Sequence, residues 1–295
     1  MKNLRERATP LRSIATLPEY RRMNCTACGA PLSERHVTLR RLSDQERKEK
    51  PLVAYTCPAC GIQSEILPRA DELRTWAILV KGTALQAQGR FQEALGCFEY
   101  ILSIDSRCVM AWYNKGCILG DLQRFPESLH CYEQALAIDP EYAEAWHNKG
   151  CALRALGCLA EALECYDRAL AINPRLARTW LSKGNTLLAT AAYLDALHSY
   201  EQALALNPKS AIAWVRQGCA LAHLGRLVQA IECYDRALAI NPECLDAWNC
   251  RGDALSAVGR IFEALECYER AVAINPDDST AQQNKASLLA KLGRS

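Results

Sequence analysis

From residue 75 onward the chain repeats itself six times at a period of 34 residues, and that period decides what it can fold into. Glycine recurs at Gly82, Gly116, Gly150, Gly184, Gly218 and Gly252, and tryptophan at Trp112, Trp146, Trp180, Trp214 and Trp248. A second aromatic recurs at Phe98, Tyr132, Tyr166, Tyr200, Tyr234 and Tyr268. A unit of this length holds two helices and a turn. It is too small to bury its apolar face alone, so it must stack on its neighbours.

Residues 143–176 show the unit most clearly. Ala145, Trp146, Gly150, Leu153 and Leu156 follow at spacings of mostly three and four, which predicts a helix with one buried stripe. Leu159, Ala162, Leu163, Tyr166, Ala169 and Leu170 resume the pattern after Gly157, so a second helix follows. Asn173 and Pro174 stop it, because proline lacks a donor and pushes its predecessor out of the helical region. Counted from the start of each repeat, glycine at position 8 lets the paired helix come close, and alanine at positions 20 and 27 keeps the contact tight. Tryptophan at position 4 and the aromatic at position 24 are expected to fill the space between helices and between repeats.

Tryptophan, glycine, alanine, aromatic, alanine and proline in this order resemble the tetratricopeptide repeat. The resemblance covers residues 75–278 as six units, 75–108, 109–142, 143–176, 177–210, 211–244 and 245–278. It implies an all-α fold, a right-handed superhelical solenoid of six helix pairs within residues 70–295. The first unit departs from the pattern, with Ile78 in the tryptophan place and Ser106 in the proline place. Residues 279–292 read as one more first helix, with Gln282 in the tryptophan place, capping the open end with polar side chains.

The N-terminal part is different. Before Thr75 stand fourteen basic and nine acidic residues, and after it twenty-one and twenty-four, so the chain is mildly bipolar. Residues 1–23 form a basic segment with no apolar run resembling a signal peptide, and no stretch approaches a membrane span. A soluble, cytoplasmic protein that does not engage membranes is expected. In residues 24–69, Cys25 and Cys28 form one CxxC pair and Cys57 and Cys60 another. Each CxxCG turn presents two thiolates, and two such turns make one closed tetrahedral zinc site. With extended segments expected at 36–42, 52–56 and 62–67, the module resembles a small β-rich zinc ribbon holding one structural zinc per chain. Paired disulfides or idle thiols are the alternatives, and His36 could replace one cysteine.

Twelve further cysteines lie within the repeats, most at positions 9 and 23, and read as small semi-apolar side chains kept reduced. Phosphate-cradling, dinucleotide, zinc-protease and nucleophile-elbow motifs are absent, so catalysis is not expected. The resemblance implies instead a scaffold whose first helices line a concave groove for a protein or peptide, through positions 2, 5, 6, 9, 12 and 13. Here those positions include Tyr113, His147, Asn148, Arg154, Arg178, Asn185, Leu188, Arg216 and His223. Three arginines from successive repeats favour a ligand with acidic residues beside apolar ones. A specialised branch of the family that captures a terminal carboxylate uses lysine at position 5, and no repeat has one there. The alternative function is nucleic-acid association, with Arg35, Arg40, Arg41, Arg47, Lys48 and Lys50 on phosphate; Glu34, Asp44, Glu46 and Glu49 interrupt that patch.

Overall fold

The computed structural model of the chain describes residues 70–293 and three short strands, β1 (Val37–Thr38), β2 (Val53–Thr56) and β3 (Gln63–Ile66). The strands pair antiparallel in the order β1-β2-β3, with Val37 opposite Tyr55 and Thr56 opposite Gln63. Each falls inside a segment expected to be extended. Cys25, Cys28, Cys57, Cys60, His36 and the basic residues at 35–50 lie outside the described residues.

Thirteen helices follow among the described residues. They are α1 (Ala70–Ala87), α2 (Phe91–Ile104), α3 (Val109–Asp121), α4 (Phe125–Ile138), α5 (Ala143–Ala155), α6 (Leu159–Ile172) and α7 (Ala177–Ala189). The series continues with α8 (Tyr193–Leu206), α9 (Ala211–His223), α10 (Leu227–Ile240), α11 (Leu245–Ala257), α12 (Ile261–Ile274) and α13 (Ser279–Leu292). Six pairs and a solitary last helix match the expected layout, except that α1 begins five residues before the first repeat. The chain separates into two compact units, residues 1–145 and 146–295, with the boundary inside α5. In the first unit α1 packs on α2 and α3, and α3 on α4. In the second, α7, α9 and α11 pack on their paired helices, and α9 also touches α7 and α11.

The helix ends follow from local chemistry. Asp105, Asp139, Asn173, Asn241 and Asn275 each leave the helical region with extended φ and ψ. Each carboxylate or amide oxygen then accepts a hydrogen bond from the backbone N–H two residues on, at 2.9–3.2 Å. This turn ends the second helix before the next repeat begins. Within a pair, the connection passes through a left-handed residue. Gly89, Gly157, Gly225 and Gly259 take φ of +74° to +83°, a conformation glycine adopts without steric cost, but Gln123 and Ala191 hold the same place at 59° and 58°.

The core is built on the contact between positions 8 and 24. A Cβ added at Gly184 or Gly218 would stand 2.5 Å from Cε1 of Tyr200 or Tyr234, and at Gly82 2.8 Å from Phe98. Phe98, Tyr166, Tyr200 and Tyr234 are fully buried. Positions 20 and 27 are also fully closed, at Ala94, Ala162, Ala196, Ala230 and Ala264 and at Ala135, Ala169, Ala237 and Ala271. Ser128 takes the alanine place at position 20 of the second repeat, and its hydroxyl donates to the Gly116 carbonyl at 2.8 Å. A buried hydroxyl is tolerated there because its donor is satisfied.

The tryptophans lie at the edge of this core, where Trp112, Trp214 and Trp248 pack against its buried clusters. They are only half-buried. Trp112, Trp180, Trp214 and Trp248 each donate the indole N–H to a carbonyl six residues back, at Ser106, Pro174, Pro208 and Pro242, over 2.8–3.0 Å. A cation lies over three of these rings, Lys115 over Trp112, Lys183 over Trp180 and Arg236 over Trp214. The indole therefore ties each first helix to the turn ahead of it, roofed by an amphipathic side chain. Gln282 in the cap donates its amide to the Pro276 carbonyl in the same way, so the tryptophan place keeps its hydrogen bond after losing its ring.

Candidate functional site

Within the second unit, α7, α9 and α11 are neighbouring first helices, and eight of the nine side chains expected to meet a ligand lie on α5, α7 and α9. The floor beneath is set by the buried tyrosines. Each runs past its glycine, so its hydroxyl arrives at position 9 of the first helix. Tyr200 donates to Asn185 Oδ1 at 3.0 Å, Tyr268 to Asp253 Oδ1 at 2.7 Å, and Tyr166 and Tyr234 to the sulfurs of Cys151 and Cys219 at 3.7 and 3.8 Å. Burial raises the pKa of all four tyrosines, so they remain protonated donors at neutral pH. The row at position 9 is thereby fixed from below.

The expected ligand-facing residues then divide. Arg154 and Arg178 are exposed, and Asn148, Asn185, Leu188 and Arg216 are half-exposed. Leu188 packs beside Leu187, Tyr200 and Ala220. Arg216 shares its charge with Asp246, 3.9 Å away on α11. His223 is exposed but stacks face to face on Tyr193, with ring centroids 4.7 Å apart and planes 2° from parallel. His147 is the exception. It is 6% exposed, with Nδ1 3.0 Å from Thr179 Oγ1 and Nε2 3.6 Å from Cys151 Sγ, and so joins α5 to α7 instead of offering a free ring. Tyr113 belongs to the first unit, where its ring packs 4.8 Å from Tyr142.

Other groups on these helices were not anticipated. Ile212, at position 2 of α9, is well exposed and offers the apolar contact that Leu188 gives only in part. Cys219 and Cys250 bring their sulfurs within 3.9 Å of each other across α9 and α11. The signal for the second was present in the sequence as a spacing of 31 residues, one period less one helical turn. Among the described residues no group of three or more His, Cys, Asp or Glu is placed to hold a metal ion, and no helix is long and apolar enough to cross a membrane.

Models described as tetratricopeptide repeat match residues 79–119 and 181–248, 109–142 and 143–176, and 245–278. No curated protein matches the chain. Among solved structures, YrrB, described as a tetratricopeptide repeat protein with an unusual peptide-binding site, is 22% identical. It aligns with a TM-score of 0.56 over 64% of this chain and 97% of its own. PilW, described as a widely conserved type IV pilus biogenesis factor, is 21% identical with a TM-score of 0.65, over 71% of this chain and 97% of its own. Pseudomonas aeruginosa pilF is 17% identical with a TM-score of 0.66, over 74% of this chain and all of its own. Such identities speak to the fold alone. The glycine–aromatic contact recurs in every repeat over the residues those models match, and the chain belongs to the tetratricopeptide repeat family.

Proposed function

We propose that this chain is a non-catalytic interaction scaffold that holds an extended peptide, with acidic residues beside apolar ones, on the first-helix face of residues 146–295. The observation that carries the reading is the contrast along that face. Tyrosine hydroxyls fix its floor at position 9, while Arg154 and Arg178 stand exposed above it and Ile212 and Leu188 supply apolar surface. A rigid floor lowers the ordering cost of binding, and exposed guanidinium groups favour carboxylates in planar, two-point contact. In the family this face lines the ligand groove, and one structural neighbour is described as having a peptide-binding site. Arg216 contributes less than its position suggests, because Asp246 faces it.

The four-cysteine zinc module remains part of this reading, supported by the paired CxxC spacing and by antiparallel β2 and β3 on either side of residues 57–62. Its role is to fold the short N-terminal segment, not to catalyse, since four thiolates leave no open metal position.

The test uses the full chain as bait in a random-peptide display selection, followed by fluorescence-polarisation titration of the enriched peptide. Enriched sequences should carry aspartate or glutamate next to leucine, isoleucine or an aromatic. Replacing Arg154 and Arg178 together with Glu should weaken binding by about tenfold or more without changing helical content, because exposed charges steer binding and contribute little to stability. Enrichment without acidic residues, or an unchanged affinity in the double variant, would overturn the assignment of this face.

A further inference from the structure

Cys219 is at position 9 of α9 and Cys250 at position 6 of α11, on first helices that approach within 8 Å between Cα atoms. Their sulfurs are 3.9 Å apart. The repeat itself imposes this meeting. One period further on, the same two places are held by Asp253 and Asn284, and they too touch, with the Asn284 amide donating to Asp253 Oδ1 at 3.0 Å. One period earlier than Asn185 and Arg216 they are held by Cys151 and Ser182. Only between α9 and α11 do both places carry sulfur.

We propose that Cys219 and Cys250 form a dithiol site that hydrogen peroxide oxidises to an intramolecular disulfide. Both side chains are partly exposed, so a small oxidant reaches them. An S–S bond of about 2.05 Å requires the sulfurs to close by about 1.9 Å, within reach of rotamer changes at two side chains. The Cys219 sulfur attacks one peroxide oxygen; an S–O bond forms as the O–O bond breaks, and the leaving hydroxide takes up a proton as water. Cys250 then attacks the sulfenic sulfur of Cys219. The S–S bond forms, the S–O bond breaks, and the oxygen departs as a second water with the Cys250 proton. Two thiols and one peroxide become one disulfide and two waters, the two electrons passing from sulfur to oxygen.

The surroundings favour Cys219 as the attacking atom. The Cys250 thiol beside it lowers its pKa, as do the Tyr234 hydroxyl and the Arg216 charge, against burial and Asp246. Cys250 is shifted upward first by the same contact, then by burial and by Asp253 and Asp246, so Cys219 is the first of the two to react. Burial instead raises Cys131 and Cys233 to about 11, leaving them unreactive at neutral pH.

The test treats the full-length protein with hydrogen peroxide, blocks remaining thiols and maps tryptic peptides by mass spectrometry. Residues 217–226 should become linked to residues 237–251 through Cys250, with Cys244→Ser leaving the link intact and dithiothreitol removing it. Loss of free Cys219 should run at least about threefold faster than loss of free Cys151, the same repeat position without a thiol facing it. In Cys250→Ser, Cys219 should be trapped by dimedone as a sulfenic acid. The proposal is overturned if the wild-type peptides stay unlinked while their cysteines oxidise separately, or if Cys219 reacts no faster than Cys151.

Discussion

At Gly184 the backbone of α7 lies so close to Tyr200 that any side chain must displace a fully buried ring. Gly184→Ala should therefore cost about 1–3 kcal/mol through overpacking. Tyr200→Ala, which empties the same space, should cost about 3–5 kcal/mol. Trp180→Ala should cost clearly less than Tyr200→Ala, because the indole is only half-buried and its N–H serves a single turn carbonyl. Urea denaturation at constant m-value ranks the three, and a Trp180→Ala loss larger than that of Tyr200→Ala would contradict the assignment of the core aromatic. The sequence shows both aromatic positions with equal regularity, so periodicity alone could not tell which ring is enclosed. The burial of His147 was hidden in the sequence for a related reason. Its partner Thr179 lies 32 residues on, and a contact made to a different position in the next repeat is invisible when positions are compared only with their own copies.

Helices were the most legible elements, because every one after the first is bounded by a turn residue that recurs with the period. The starts at Val109, Ala143, Ala177, Ala211 and Leu245 and the whole of α13 fall where the repeat places them. The start of α1 does not. No breaker separates Ala70 from Thr75, whereas Pro68 stands just ahead of Ala70 in the sequence, and the helix begins at Ala70. The turn inside each pair makes its own prediction. Ala191 holds a left-handed φ of 58° where four other repeats have glycine, so Ala191→Gly should stabilise the protein by about 1 kcal/mol, and Gly157→Ala should destabilise it by a similar amount. Equal thermal midpoints for wild type and both variants would show that the turn conformation is not under strain.

The cap offers a pH test at the same scale. Asp278 accepts hydrogen bonds from the Asn249 amide and from the backbone N–H groups of Thr280 and Ala281, at 2.8, 3.0 and 3.4 Å. These hold its carboxyl below the usual carboxylate range, the Asn249 bond most of all. A depressed folded-state pKa stabilises the helix start above the unfolded value of about 4, and the contribution disappears as pH falls through the folded value. Amide protection factors in α13 should accordingly fall in acid more than those in α11, and Asp278→Asn should remove most of that difference.

Across the whole molecule, helices that touch only their neighbours make stability close to a sum of local terms. Tyr200→Ala should therefore raise exchange in α7 to α10 while leaving α1 to α4 almost unchanged; uniform loss of protection along the chain would mean a more cooperative structure than nearest-neighbour packing gives. The ligand face follows the same logic. The repeat indicates which helices would carry the proposed face, whereas its charge balance depends on Asp246 reaching back to Arg216 from the next repeat, a relation that one unit does not contain. The most direct measurement is amide hydrogen exchange of the full chain with and without the selected acidic peptide. Protection should gather on the first helices α5, α7 and α9, and should fade in the chain carrying Glu at 154 and 178. Protection gathered on α8, α10 and α12 instead would contradict a ligand held by the first-helix face.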